Sequence, residues 1–314
     1  MEPESKRDKE DRRAEKKAKR REAKLDAYDR EDRVGANQES RRLIAEHPLE
    51  LDEVQSELVR RLRADGIAQL DFAELFSDDL WHTLRSDAWA FAREIERDLD
   101  AQVETERTRS RKGGAVGFIL RRYEKGVELM PDDLWLRTAI SPRLLDVVNA
   151  YLGLWAKLTY TDQWYTVPMP PSAQRTASQN WHRDRADKHL VKVFIYLSDV
   201  DEGAGPFEYV RGSTGDGPYA NVWPWVPGED HYPPRDEFDE RIPASAISTL
   251  TGPAGTMILC NTSGFHRGGF ATERPRILWR YNFCSPASLV VASRRFVVHS
   301  SLDDFSEAAR FALT

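Results

Sequence analysis

Leu190-Val191-Lys192-Val193-Phe194-Ile195-Tyr196-Leu197-Ser198 is written in β-branched and aromatic side chains, and Asp199 and Gly203-Ala204-Gly205-Pro206 beyond it supply the punctuation of a strand that ends in a turn. The same vocabulary recurs in Leu158 to Val167, Thr256 to Cys260 and Ile277 to Phe283. Pro- and Gly-rich connections at 168–172, 203–206, 215–218 and 223–234 separate these runs. Residues from about 156 to 300 therefore read as short antiparallel strands joined by turns and a few long loops. Gly203-Ala204-Gly205 lies between strands with no helix after it, so it is a turn and not a nucleotide-binding fingerprint.

Upstream the periodicity changes. Leu51, Val54, Leu58 and Leu62 recur at helical spacing and stop at Asp65-Gly66. Trp81, Leu84, Ala88, Phe91, Ile95 and Leu99 form a second apolar stripe. Ser141-Pro142 opens a third helix, which Gly153 closes. Helices over about 48–153 followed by a β-barrel or sandwich is the expected architecture, in one domain spanning 41–314. Residues 1–40 are dominated by charge, with Leu25, Tyr28 and Val34 almost alone as large apolar side chains, and are expected to form a disordered or solvated helical tail.

The 314 residues can bury a full core, and a net charge of -6 argues against a nucleic-acid partner, since backbone phosphates demand an excess of Lys and Arg. No run approaches the roughly eighteen apolar residues of a membrane span, and no signal peptide is visible, so a cytoplasmic protein without a membrane partner is expected. Cys260 and Cys284, without CxxC spacing, read as buried free thiols. The oligomeric state stays open.

The chemistry resides in Asn180-Trp181-His182-Arg183-Asp184. In an extended chain side chains alternate, so His182 and Asp184 project to one side and can reach one ion. His266, in Ser263-Gly264-Phe265-His266-Arg267-Gly268-Gly269, is the best third ligand, because it follows a buried strand and opens a glycine-containing turn. Two imidazoles and a carboxylate on one face of an octahedron leave three positions open, which suits non-haem Fe(II) and differs from the closed tetrahedron of structural zinc. His47, His82, His189, His231 and His299 lack such context and are read as structural. Arg276, ten residues after His266 at the start of a strand, can grip the far carboxylate of a 2-oxo dicarboxylate in a two-bond fork. Arg280 shares that strand face and is the second candidate.

Together the Trp-His-Arg-Asp context, the strand Lys192 to Asp199, the segment Gly203-Ala204-Gly205-Pro206-Phe207-Glu208-Tyr209-Val210-Arg211-Gly212-Ser213-Thr214, and the distal His and Arg resemble the phytanoyl-CoA dioxygenase superfamily of Fe(II)/2-oxoglutarate oxygenases over about residues 50–285. The resemblance implies a mainly β protein with flanking helices and a double-stranded β-helix (jelly-roll, cupin-like) core. It implies Fe(II) at His182, Asp184 and His266, 2-oxoglutarate held by Arg276, and hydroxylation of a small molecule by O2 with release of succinate and CO2. Gln163 matches a position that contacts the cosubstrate in some relatives. Arg211-Gly212-Ser213-Thr214 departs from the Pro-Gly-Ser-His of many relatives, and the His-to-Arg spacing is about one residue shorter; both departures bear on substrate class. Asp184 stands where halogenating relatives carry a small residue, so halogenation is disfavoured while desaturation and cyclisation stay open.

Two segments could form a lid: Arg107 to Gly117, with Arg109, Arg111 and Lys112 before Gly113-Gly114, and the aromatic stretch Trp223 to Pro234. A basic lid would suit an anionic substrate, with Arg121 and Arg122 as further anion contacts that the sequence does not rank. A cupin-like metal enzyme working without 2-oxoglutarate is the alternative enzyme class. A non-catalytic scaffold is the alternative outside enzymes, and three intact ligands speak against it.

Overall fold

The computed structural model describes residues 6–111, 117–123, 126–170, 172–229, 232–291, 295–298 and 302–314. His231, His299 and the lid residues Lys112, Gly113 and Gly114 lie outside them. The charged N-terminal segment forms α1 (Lys6–Arg33), followed by α2 (Ala36–Glu46). Its expected character as a solvated tail through residue 40 needs correction at the C-terminal end. Tyr28 and Asp32 of α1 and Asn37 and Ser40 of α2 are buried, because Tyr28 donates to the buried Asp187 carboxylate and Ser40 Oγ donates to Trp155 O (2.6 Å). One aromatic residue with a buried acceptor is enough to seat this end of a charged helix.

The predicted helices form where their caps demand. α3 (Glu53–Asp65) starts in a capping box between Asp52 and Gln55 and ends at Gly66 with φ 78°. The stripe beginning at Trp81 lies on α4 (Asp78–Arg97), capped by Ser77, and α5 (Leu99–Arg111) follows. Beyond two short strands, β2 (Ile119–Arg121) and β3 (Val127–Leu129), come α6 (Leu134–Ile140) and α7 (Pro142–Leu152), the latter ending at Gly153 with φ 66°. The Ser141 hydroxyl turns back to Thr138 O and does not cap α7, so Pro142 at the first position carries that start.

The β-region is two sheets. The larger holds β1 (Ile67–Asp71), β4 (Lys157–Thr166), β5 (Leu190–Tyr196), β8 (Thr256–Cys260) and β10 (Arg276–Cys284) with β2, all antiparallel in the order β1-β8-β5-β10-β4-β2. The smaller sheet is β7 (Ile247–Leu250), β6 (Phe207–Val210) and β9 (His266–Arg267) in the order β7-β6-β9, and a bridge from His266 to His182 adds the metal-motif segment to its edge. From β4 to β10 the chain repeatedly crosses between the sheets. β11 (Phe296–Val298) pairs in parallel with β3, and α8 (Arg235–Arg241) and α9 (Glu307–Leu313) complete the described elements.

Alternation sorts the larger sheet's side chains into two layers. Val191, Val193 and Ile195 of β5, Ile277, Trp279, Tyr281 and Phe283 of β10, and Met257 and Leu259 of β8 pack against the helices. There Trp279 stacks on Trp135 with ring centroids 3.8 Å apart, a contact worth about 1 kcal/mol beyond its buried area. Phe194, Tyr196, Ile258, Cys260 and Leu278 face the opposite way and meet Phe207, Tyr209 and Leu250 of the smaller sheet. Both faces of the large sheet are thus buried, which explains its near-continuous apolar runs. Cys260 and Cys284 are buried and unbonded to each other. No described helix is long and apolar enough to cross a membrane.

Candidate metal centre and cavity

A cavity of about 390 Å³ opens between the two sheets, and His182, Asp184 and His266 line one part of it. Their candidate ligand atoms lie within 4.8 Å of one another. The backbone produces this convergence: His182 N donates to His266 O and His266 N to His182 O, both at 3.0 Å, and Asp184 N donates to Thr262 O at 2.8 Å. The two histidines thus stand opposite each other across an antiparallel bridge, with ring centroids 4.2 Å apart.

Each imidazole is oriented by its own chain. His182 Nδ1 lies 2.9 Å from Asn180 O, and His266 Nδ1 lies 3.0 Å from Gly264 O. A carbonyl only accepts, so Nδ1 carries the proton in both rings and the Nε2 lone pair is the one offered to a cation. His266 Nε2 is 3.7 Å from Asp184 Oδ2. Burial, with His182 beside it, holds the His266 pKa well below its usual value and keeps the ring neutral. Burial works against ionisation of Asp184, but the charge of Lys192 beside it outweighs burial and holds the carboxyl below its ordinary range. Two neutral imidazoles and one carboxylate on three converging segments fit a single divalent ion.

Lys192 is a site residue that sequence reasoning passed over. Its Nζ lies 2.5 Å from Asp184 Oδ2. The signal was present, since a lysine at an inward position between Leu190 and Phe194 has to meet a charge or a solvent-filled space.

Arg276 lines the same cavity from the start of β10. It is buried, and its Nη1 donates to Gly205 O at 2.7 Å. Gly205 adopts φ 72°, and Gly269 packs directly on its carbonyl, so two glycine segments distant in sequence make the socket for this guanidinium. Nε has no hydrogen-bond partner among the described residues. Arg280, two strand repeats along, faces the cavity as well.

Gln163 is not in the cavity. It is fully buried on the opposite face of β4, paired with Trp279, and donates to Ala88 O of α4 at 2.8 Å. Alternation sends Trp164 to the cavity and Gln163 to the helices, which corrects the expectation that it contacts a cosubstrate. The same rule ranks Arg121 and Arg122. Arg121 lines the cavity, whereas Arg122 pairs with Asp87 of α4 at 2.5 Å. Of the stretch 223–234, Tyr232 stacks on His182 (5.4 Å, 17°), and Trp225 Nε1 donates to Asp184 O at 2.7 Å. His189 sits 3.2 Å from Asp32, and His47 lies 3.4 Å from Glu307, both away from the triad.

The apo form of EctD from S. alaskensis superposes with a TM-score of 0.50 at 17% identity, covering 80% of this chain and 89% of that one. This likeness is one of fold. The epimerase SnoN, solved with Fe3+, alpha-ketoglutarate and nogalamycin RO, has a TM-score of 0.44 at 16% identity over 74% of this chain and 84% of its own. HygX from Streptomyces hygroscopicus, solved with nickel and 2-oxoglutarate, has 0.43 at 18% identity over 76% and 88%. No family profile and no curated protein matches the sequence. With the fold shared and identity this low, the chemistry has to be argued from the cavity's own residues.

Proposed function

We propose that this protein is an Fe(II)- and 2-oxoglutarate-dependent oxygenase that hydroxylates a small molecule, and that its two sheets form a double-stranded β-helix. The observation that carries the reading is the meeting, in one cavity between the sheets, of the His182–Asp184–His266 triad with a buried guanidinium, Arg276, whose Nε has no hydrogen-bond partner among the described residues.

When bound, iron(II) and 2-oxoglutarate supply oxidation of a C–H bond by O2, in which 2-oxoglutarate leaves as succinate and CO2 and the substrate gains one oxygen atom. The chain's residues do the rest. His182, Asp184 and His266 would hold the metal, a ligand set that leaves room for a cosubstrate and O2. Asn180 O and Gly264 O hold the imidazoles in the ligating tautomer. Arg276, fixed by Gly205 O, offers its remaining donors to the far carboxylate of the cosubstrate. Phe194, Phe207 and Leu278 line the cavity with apolar surface that limits water.

Anaerobic addition of Fe(II) and 2-oxoglutarate to metal-free protein tests this. The expected result is a weak visible charge-transfer band that fades in Arg276→Ala and is absent in His182→Ala and Asp184→Ala, with far-UV circular dichroism unchanged. Bound iron without any band in the wild-type protein would point to a cupin-like metal enzyme that takes no oxo-acid.

A further inference from the structure

Arg280 is 7% exposed, and its guanidinium makes no hydrogen bond or ion pair with any described residue. It lies over the ring of Trp164, 3.6 Å from the centroid, and 4.3 Å from that of Tyr160. Two like charges flank it: Arg121 shares the Trp164 ring at 5.2 Å, and Arg295 approaches Tyr160 at 5.6 Å. All three arginines line the cavity that holds the triad.

No acid among the described residues hydrogen-bonds to Arg280: Asp162, its partner across the strand pair, accepts instead from Tyr123 N (3.0 Å) and Trp164 Nε1 (2.9 Å), and its charge acts on Arg121 and Arg295. Stacking on an aromatic face returns less than removing an unpaired charge from water costs. Of the three cations Arg280 alone is buried, Arg121 being half-buried and Arg295 exposed, so Arg280 is the one whose guanidinium is out of water without a hydrogen-bonded anion among the described residues. The 2-oxoglutarate assigned to Arg276 is not that anion. Arg276 and Arg280 are four residues apart on one strand, so their Cα atoms stand about 13 Å apart, too far to grip one carboxylate together.

We propose that Arg280, with Arg121 and Arg295, binds an oxyanion of the substrate, a phosphate, phosphonate or carboxylate head group, and that the enzyme acts on an anionic small molecule seated head-first on this cluster. This rests on the cavity being the active site. The head group docks against Tyr160 and Trp164 at the guanidinium end, and the carbon to be oxidised lies toward His266. A neutral substrate would leave the buried Arg280 guanidinium without an anionic hydrogen-bond acceptor.

The test is calorimetric titration of the full chain, metal-free and at constant ionic strength, with inorganic phosphate and separately with acetate. Wild type and Arg276→Gln are expected to bind at least one of them, Arg280→Gln to bind it about tenfold or more weakly, and Arg280→Lys to recover part of the loss. Phosphate alone binding would assign a phosphate or phosphonate head group, and acetate alone a carboxylate. Equal binding by Arg280→Gln and wild type, loss only in Arg276→Gln, or no binding of either anion would overturn the proposal. Should Arg280→Gln fail to fold, phenylglyoxal labelling of the wild type decides: the bound anion must protect Arg280 and Arg121, and equal labelling with and without it rejects the cluster. The Fe(II)/2-oxoglutarate band is read alongside. A band retained in a folded Arg280→Gln separates the two anion sites, and anion binding without a band in the wild type would sink the oxygenase reading while leaving the anion site standing.

Discussion

Lys192 Nζ stands 2.5 Å from the Asp184 Oδ2 that the triad offers to a metal ion. An ammonium in that position does two things: it holds the carboxylate ionised and aimed into the cavity, and it competes with a divalent cation for the same oxygen. Competition wins once the metal arrives, because the ion brings a second positive charge against Lys192. Lys192→Met is therefore expected to bind Ni(II) roughly three- to tenfold more tightly than wild type in an anaerobic titration. Weaker binding would show that the lysine serves chiefly to orient Asp184.

Gly269 lies against the carbonyl of Gly205, and a Cβ there would also come within 2.8 Å of Arg276 Nη1. Neither neighbour can retreat, since one is backbone and the other is held by that carbonyl. Gly269→Ala should cost about 2–3 kcal/mol in urea unfolding and weaken 2-oxoglutarate binding at the same time. A stability loss with unchanged 2-oxoglutarate affinity would detach Arg276 from the cosubstrate.

Burial pushes the Asp162 carboxyl up from 3.8 to about 6, against the bonds from Tyr123 N and Trp164 Nε1 that favour its ionised form. Between these two values the folded protein holds a proton that the unfolded chain has released. This group therefore favours folding at low pH, and its contribution is lost as pH rises through that window, by an amount on the order of 3 kcal/mol. The stability gap between wild type and Asp162→Asn should narrow from pH 4 to pH 7. A gap that widens would mean that Arg121 and Arg295 keep Asp162 ionised throughout.

Tyr28 fastens α1 to the β-region through the Asp187 carboxylate, which also accepts from Ser285 N and Ser285 Oγ at 2.9 and 2.7 Å. Tyr28→Phe leaves a buried carboxylate one donor short and should cost about 1–3 kcal/mol in denaturant unfolding. Lys19→Ala, at an exposed position on the same helix, should change stability by less than about 0.5 kcal/mol. Equal effects from both substitutions would mean that the helix is not docked through Tyr28.

The elements with strong local signals were legible without coordinates. Asp65-Gly66 and Gly153 end helices because only a residue without Cβ turns left-handed there at low cost, and β4, β5, β8 and β10 form where β-branched and aromatic side chains crowd. β1 was not foreseen, because Ile67–Asp71 is five residues long and follows a helix stop directly; its strand character comes from pairing with β8 across nearly two hundred residues. The docking of α1 was hidden for the same reason, one tyrosine in a charged segment carrying no local mark of its distant acceptor.

The sequence by itself marked the three candidate ligands that the structure brings together. His182 and Asp184 sit two apart in extended chain, so they share a side whatever surrounds them, and a second histidine after a buried strand completes a set whose chemistry is a property of the residue types. Tertiary structure decided which side of each strand is the cavity. On β4 and β5 period-two alternation separates Gln163 from Trp164 and Lys192 from Val193, yet both faces are buried and apolar, so composition carries no label for inside. That label comes from the second sheet packing on one face and the helices on the other. It sends Gln163 to Ala88, Lys192 to Asp184 and Arg280 into the cavity without a hydrogen-bond partner among the described residues, because a side chain's neighbours are set by what folds over its strand.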